Sequence, residues 1–153
     1  RRIGVITPPA GHRAAQARVE GFRDGLSAAS GLAIDPMFVA GDFDFASGEQ
    51  AAGQLLAQDP PPTAIFATND AMALGVMTCA HRRGLKVPAD LSIVGFDDTS
   101  ASATTWPPLT TVRQPLEEMG RALVDALVGD VDEAPEFRFE LVRRESTGPA
   151  PRR

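Results

Sequence analysis

Four short, continuously apolar runs recur along the chain at nearly even spacing. They are Ile3-Gly4-Val5-Ile6, Met37-Phe38-Val39, Ala64-Ile65-Phe66-Ala67 and the run from Leu91 to Phe96. Their first residues are spaced by 34, 27 and 27 residues, about the length of one strand-helix-strand crossover. None of the runs alternates polar and apolar residues, as expected for strands covered on both faces. Strands and helices alternating at this spacing give an α/β fold with a parallel sheet, right-handed crossovers and three layers, α/β/α.

Size and charge narrow the classes. The 153 residues make one domain, or one lobe of a larger one. A chain of this length buries roughly 70% of its unfolded surface and needs no staple. Cys79 is the one cysteine, so no internal disulfide forms, and a reducing compartment fits. Lys and Arg number 15 against 20 Asp and Glu, a net charge of −5. That argues against this chain gripping nucleic acid itself, because phosphate contacts need a basic patch. No apolar run approaches the ~20 residues that span a bilayer, and no signal-peptide pattern opens the sequence. The expected location is the cytoplasm.

The spacing predicts helices over 13–30, 47–57, 70–83 and 115–128. In the first, Ala15, Val19, Phe22 and Leu26 form an apolar stripe, beside a stripe of small residues in which Arg18 lies. Asn69 suits the N-cap of the third, and Gly84 its C-terminal turn. That helix is apolar almost all round, so one side faces the sheet and the other needs a second partner, such as another subunit. Pro115 opens the last helix, whose broad apolar face includes Leu116, Leu123 and Leu127. One more strand is expected within 137–142, and a frayed tail from 148.

Ligands of open parallel sheets bind at the carboxyl ends of the strands. The residues just after each run are therefore candidates: His12, Asp42 and Phe43, Asn69 and Asp70, Asp97 and Asp98. Arg18, in the second turn of the first helix, can point to the same edge. Carboxylates, an amide, a guanidinium and an aromatic ring suit a polyhydroxylated or heterocyclic small molecule. Each also has a plainer reading. Asn69 taken alone is better explained as a cap and His12 as a solvated side chain, Asp97-Asp98 fits a turn equally well, and the plain alternative for Arg18 is a surface ion pair. Enzyme signatures are poor: neither Gly-x-Ser-x-Gly nor a phosphate-binding Gly-x-x-x-x-Gly-Lys motif occurs. His12 and His81 lack metal-ligand spacing. No catalysis, metal or cofactor is expected.

Taken in order, these strand ends resemble the lac repressor and galactose repressor (LacI/GalR) family of bacterial transcription regulators. The resemblance rests on Arg18-Val19-Glu20-Gly21-Phe22, Gly41-Asp42-Phe43, Pro62 to Asp70 with Met72-Ala73-Leu74-Gly75, Val87 to Asp98, Pro108 to Pro115, and Leu141 to Ser146. It implies a lobe of the periplasmic-binding-protein type I, Rossmann-like fold, in which two lobes close on a small molecule, usually a sugar or a purine. Residue by residue, it implies that Arg18, Asn69, Asp97 and Gln114 are polar effector contacts, Phe43 an aromatic wall and His12 a rim residue. It implies a homodimer through Met72, Val76, Met77, Ala80, Thr105 and Trp106. It also implies domain limits: an effector-binding lobe at 1–113, a crossing helix of the other lobe at 114–129, a linker and returning strand at 130–147, and a tail at 148–153. The DNA-binding helix-turn-helix is outside the sequence. The crossing helix is then expected to pack on a neighbouring chain or to be poorly ordered. Pro8-Pro9 depart from the family, which commonly has glycine there.

A periplasmic sugar-binding protein of a transport system shares this fold and is the alternative. Against it stand the Pro-Leu-Thr-Thr-Val-Arg-Gln-Pro segment and the Asp97-Asp98 pair, both similar to the repressors. An enzyme is a third reading, which loss of turnover with retained binding in Asp97→Asn would favour.

Overall fold

The computed structural model describes residues 2–9, 11–29, 34–129 and 135–150. In chain order these form β1 (Ile3–Thr7), α1 (Arg13–Ala28), β2 (Met37–Ala40), α2 (Phe45–Leu56), β3 (Ala64–Ala67), α3 (Asp70–Arg82), β4 (Ser92–Val94), α4 (Ser100–Thr104), β5 (Thr111–Arg113), α5 (Leu116–Val128) and β6 (Glu140–Val142). The four apolar runs are the four strands of one parallel sheet, in the order β2-β1-β3-β4. The chain steps from β1 outward to β2, then back across to β3 and on to β4. Right-handed crossovers therefore put α1 on one face and α2 with α3 on the other.

The two faces are packed differently. Ile6, Ile65 and Ile93 point from the strands into a core shared with Ala51 and Leu55 of α2 and Met72, Ala73, Val76 and Ala80 of α3. On the opposite face Phe66 stacks on Phe22 of α1, with ring centroids 5.6 Å apart. Of the α1 stripe, only Ala15 and Val19 are buried.

The apolar circumference of α3 has a different cause from the one expected. A Cβ at Gly48 of α2 would strike the Met72 backbone, and one at Gly75 of α3 would strike the backbone of Phe45 and Glu49. The two helix backbones touch, so α2 lies beside α3 on the same face of the sheet and buries one flank of it. Met72, Val76 and Ala80 are wholly buried and Met77 nearly so, all within this one chain. This corrects the expected dimer surface: those four side chains are already covered and cannot present a face to a partner. Thr105 is half-buried, and Trp106, at 90% exposure, stands free.

Boundaries shift where polar residues take part. The run from Leu91 shortens to the strand Ser92–Val94, but the backbone beyond it stays paired, through bridges from Val94 to Thr110 and from Asp97 to Arg113. Residues 99–105, for which no element was expected, include α4. β5 pairs antiparallel with β6, Thr111 opposite Val142 and Arg113 opposite Glu140. The expected tail is not frayed at its start. Ser146 is fully buried; its hydroxyl donates to the Ile93 carbonyl at 2.6 Å and accepts from the Thr110 N–H at 2.8 Å. The Gly148 N–H donates to the Ser92 hydroxyl at 3.1 Å. Residues 130–134 of the expected linker and 151–153 of the tail lie outside the described residues. α5 is formed but buries none of its residues; Leu123, Val124 and Leu127 are 67%, 56% and 84% exposed.

Candidate functional site

The strand order reverses between β1 and β3, and the carboxyl ends of these two strands flank a crevice. Arg18 comes to it from α1. Its Nη1 donates to the Thr68 carbonyl at 2.6 Å, and its Nη2 lies 3.3 Å from Asp97 Oδ1. The guanidinium carbon sits 3.9 Å over the centroid of the Phe96 ring. Stacking on the ring and two polar anchors leave the Arg18 side chain only 16% exposed. This replaces the plainer reading of a surface ion pair. Gln114, just past β5, donates from Nε2 to the same Asp97 Oδ1 at 2.7 Å. Arg18, Asp97 and Gln114 are thus one cluster.

Asn69 and Phe43 form the neighbouring wall. Asn69 is the cap that its position suggested: Oδ1 accepts from the Met72 N–H at 2.9 Å. Its Nδ2 also donates to the Phe43 carbonyl at 2.7 Å. That bond holds Phe43 in a left-handed backbone, φ 62°. Phe43 packs partly on the core while Phe45 is 43% exposed. His12 meets the Phe43 ring edge-on at 4.9 Å and is exposed, so it stands at the rim.

The turn after β4 departs from ordinary backbone. Asp97 has φ 116° and Asp98 φ 53°, a pair of left-handed residues without glycine, and such strain gathers at ligand sites. The two carboxylates do different work. Burial pushes the Asp97 carboxyl above its ordinary pKa; the Arg18 charge opposes this, the Asp70 charge adds to it, and the bonds from Gln114 and Arg18 oppose it. Asp98 turns away from the crevice. Its Oδ1 meets Arg144 Nη2 at 2.5 Å and its Oδ2 meets Arg113 Nε at 2.6 Å. Burial pushes the Asp98 carboxyl up, but the hydrogen bonds and charges of Arg144 and Arg113 outweigh it and hold it below the ordinary value. A lowered folded pKa stabilises the chain at neutral pH, and that contribution is lost as pH falls through the lowered value. Asp98→Asn is therefore expected to cost about 2 kcal/mol near neutral pH. Denaturant melts of both proteins should converge as the pH drops below the ordinary carboxylate range.

A cavity of about 630 Å³ opens on the α1 face of the sheet, lined by Phe22, Phe66, Val94, Phe96 and Phe139, with Arg18 and Gln114 at one end. Its walls are apolar and include neither Asn69 nor Asp97. The cluster at the strand ends is the better fit for a polar ligand: a carboxylate that accepts, a guanidinium and an amide that donate, and an aromatic wall. Among the described residues no group of three or more His, Cys, Asp and Glu could hold a metal. Sequence reasoning passed over Phe96 as a platform. Its signal was an aromatic residue at a strand's last position, directly before Asp97.

Known proteins similar to this chain share its fold. A family profile described as a periplasmic binding protein-like domain matches residues 1–147. The HTH-type transcriptional repressor CytR of Escherichia coli K12 is 45% identical over 122 residues, which are 79% of this chain and 36% of the repressor. The ribose operon repressor of the same strain is 39% identical over 127 residues, 83% of this chain and 38% of that protein. The chain thus spans little more than a third of these relatives. Among solved structures, a sugar-binding LacI-family regulator from Escherichia coli complexed with phosphate superposes with a TM-score of 0.87 at 31% identity, covering 96% of this chain and 55% of that one. A CelR–cellobiose complex gives a TM-score of 0.81 at 36% identity, over 95% of this chain and 46% of that one. Among the described residues no helix is long and apolar enough to cross a membrane.

Proposed function

The chain belongs to the periplasmic-binding-protein-like domain family, as found in the LacI/GalR regulators, and from that we propose that it is the effector-binding part of a bacterial transcriptional regulator. Its effector is a small polyhydroxylated molecule, a sugar in preference to a purine. The observation that carries this reading is the convergence of Arg18, Asp97 and Gln114 at the strand-order reversal, with Asn69 and Phe43 beside them. Vicinal hydroxyls suit it, because the carboxylate accepts from both while guanidinium and amide donate. The cellobiose complex and the ribose operon repressor favour a sugar. The repressor relatives favour regulation over transport. The regulator works in the cytoplasm and needs no cofactor.

Residues 1–113 act as one lobe, α5 belongs to a second lobe, and effector binding alters the closure of the two. DNA is contacted by a helix-turn-helix outside these residues, whose affinity shifts with the lobe angle. The exposed apolar face of α5 supports its assignment to the second lobe. Calorimetric titration of mono- and disaccharides and purine nucleosides into the full-length regulator tests the reading. One class should bind one molecule per protomer, and the 153-residue chain alone should bind it more weakly. No binding by any of them would remove the effector reading.

The protomers pair as a homodimer through the Thr105–Trp106 corner. A tryptophan 90% exposed next to a rigid Pro107-Pro108 turn has the character of an interface anchor. Trp106→Ala should shift the sedimentation equilibrium of the full-length regulator toward monomer, and an unchanged dimer would move the interface elsewhere.

A further inference from the structure

Asp70 is a carboxylate that the effector reading does not use, and it is 1% exposed. Every polar contact it makes leads to the turn around Asp97. Its backbone N–H donates to the Phe96 carbonyl at 2.8 Å. Its Oδ2 accepts from the Thr99 N–H at 2.8 Å and from the Thr99 hydroxyl at 3.1 Å. Its Oδ1 accepts from the buried Thr111 hydroxyl at 2.6 Å, and that hydroxyl in turn accepts from the Asp98 N–H at 3.4 Å. Gly95 makes room for the carboxylate, since a Cβ there would collide with Asp70 Oδ1. Phe96 is therefore tied to the Asp70 backbone, Thr99 to its buried carboxylate and Asp98 to that carboxylate through Thr111, and Asp97 lies between them. Asp97 itself is held by its backbone bridge to β5, with its N–H on the Val112 carbonyl at 2.9 Å, and by side chains of the crevice.

We propose that Asp70 is a positioning residue for Asp97: its backbone N–H and buried carboxylate together clamp Phe96, Asp98 and Thr99 and so keep Asp97 facing the crevice in a left-handed backbone. A cap on α3 would need only the contacts at the helix start; this carboxylate instead spends all of its acceptors on the turn after β4 and on β5. The inference rests on the reading that Asp97 faces the effector. The charged groups facing Asp97 are Arg18 from α1 and Asp70 from α3; Gln114 is neutral, and Asp98 points to Arg113 and Arg144. Removing the like charge at position 70 therefore lowers the pH at which Asp97 takes up its proton.

Carboxyl carbon NMR titration and amide hydrogen exchange on the 153-residue chain test this without any ligand. In Asp70→Asn the Asp97 midpoint should fall, and the Thr99 amide should exchange roughly ten-fold faster or more, as a local opening does. Thr111→Val keeps the charge but removes the relay; it should speed exchange at the Asp98 amide and leave the Asp97 midpoint in place. An unchanged Asp97 midpoint in Asp70→Asn overturns the proposal. If that variant does not fold, Thr111→Val decides alone, and unchanged exchange at Asp98 overturns it. A failed calorimetric panel, by contrast, would sink the effector reading and leave these two readouts untouched.

Discussion

Gly75→Ala destabilises the chain by about 3 kcal/mol, the upper end of the range for overpacking a well-packed interior. The sign is not obvious from helix chemistry, because alanine in a helix interior is favoured over glycine by about 1 kcal/mol. Packing wins here, since the added methyl would meet the Phe45 carbonyl and the Glu49 N–H group, which are backbone of α2 and cannot swing aside. Gly48 is the reciprocal position, facing the Met72 backbone. Separating the helices to admit the methyl would also loosen Leu55, Met72 and Val76 in the shared core. Gly25→Ala in α1 is the control. Nothing lies within 4 Å of its added carbon, so the helix preference acts alone and the chain gains about 0.5–1 kcal/mol. Urea melts of the three proteins check both signs.

Asp97→Ala is expected to weaken effector binding by roughly a hundred-fold, as two charge-assisted hydrogen bonds are lost at 1.5–3 kcal/mol each with partial replacement by water. The same change frees Arg18 and Gln114 from their common partner, so the donors lose orientation as well. Asp97→Asn separates function from stability. The Asp97 carboxyl has a raised folded pKa, with burial the largest cause and the neighbouring Asp70 charge adding to it. Ionising it thus opposes folding, and stability declines as pH rises from the ordinary carboxylate value through the raised one. The amide variant should melt at the same temperature as the native chain or higher at neutral pH, while its effector affinity drops. Calorimetry of binding and thermal melts at neutral and acid pH check this pair of outcomes.

Much of this arrangement was legible in the sequence because it depends on period and punctuation. Apolar runs near 27-residue spacing can form parallel strands and little else, and they do, with the edge strand β2 left partly exposed. Asn69 before an apolar helix reads as a cap, and it caps. Arg18, Asp97 and Gln114, named through a family resemblance, lie in contact. What stayed illegible depends on distances between elements far apart in sequence. The smoothness of α3 was visible, but its cause was not: Gly48 and Gly75 are 27 positions apart, and only the fold shows that each faces the other helix. A partner subunit was invoked through Met72, Val76, Met77 and Ala80, side chains already buried within this one chain. Asp70 was counted among the ligand candidates at the strand ends, and its bonds to Thr99 and Thr111 became visible only once the fold brought them to it. Ser146, placed in the returning segment, and Gly148, read as the start of a frayed tail, lie along β4 because their hydrogen bonds replace those of a further strand neighbour.

The most direct measurement is a heteronuclear NMR titration of the 153-residue chain with the sugar that binds in the calorimetric panel, since chemical shifts register even weak binding. The amides and side chains of Arg18, Phe43, Asn69, Asp97 and Gln114 should move together and saturate along one curve. Saturable shifts confined to Phe22, Phe66 and Phe139, with Asn69 and Asp97 unmoved, would place the ligand in the apolar cavity and contradict the assignment of the strand ends as the effector site.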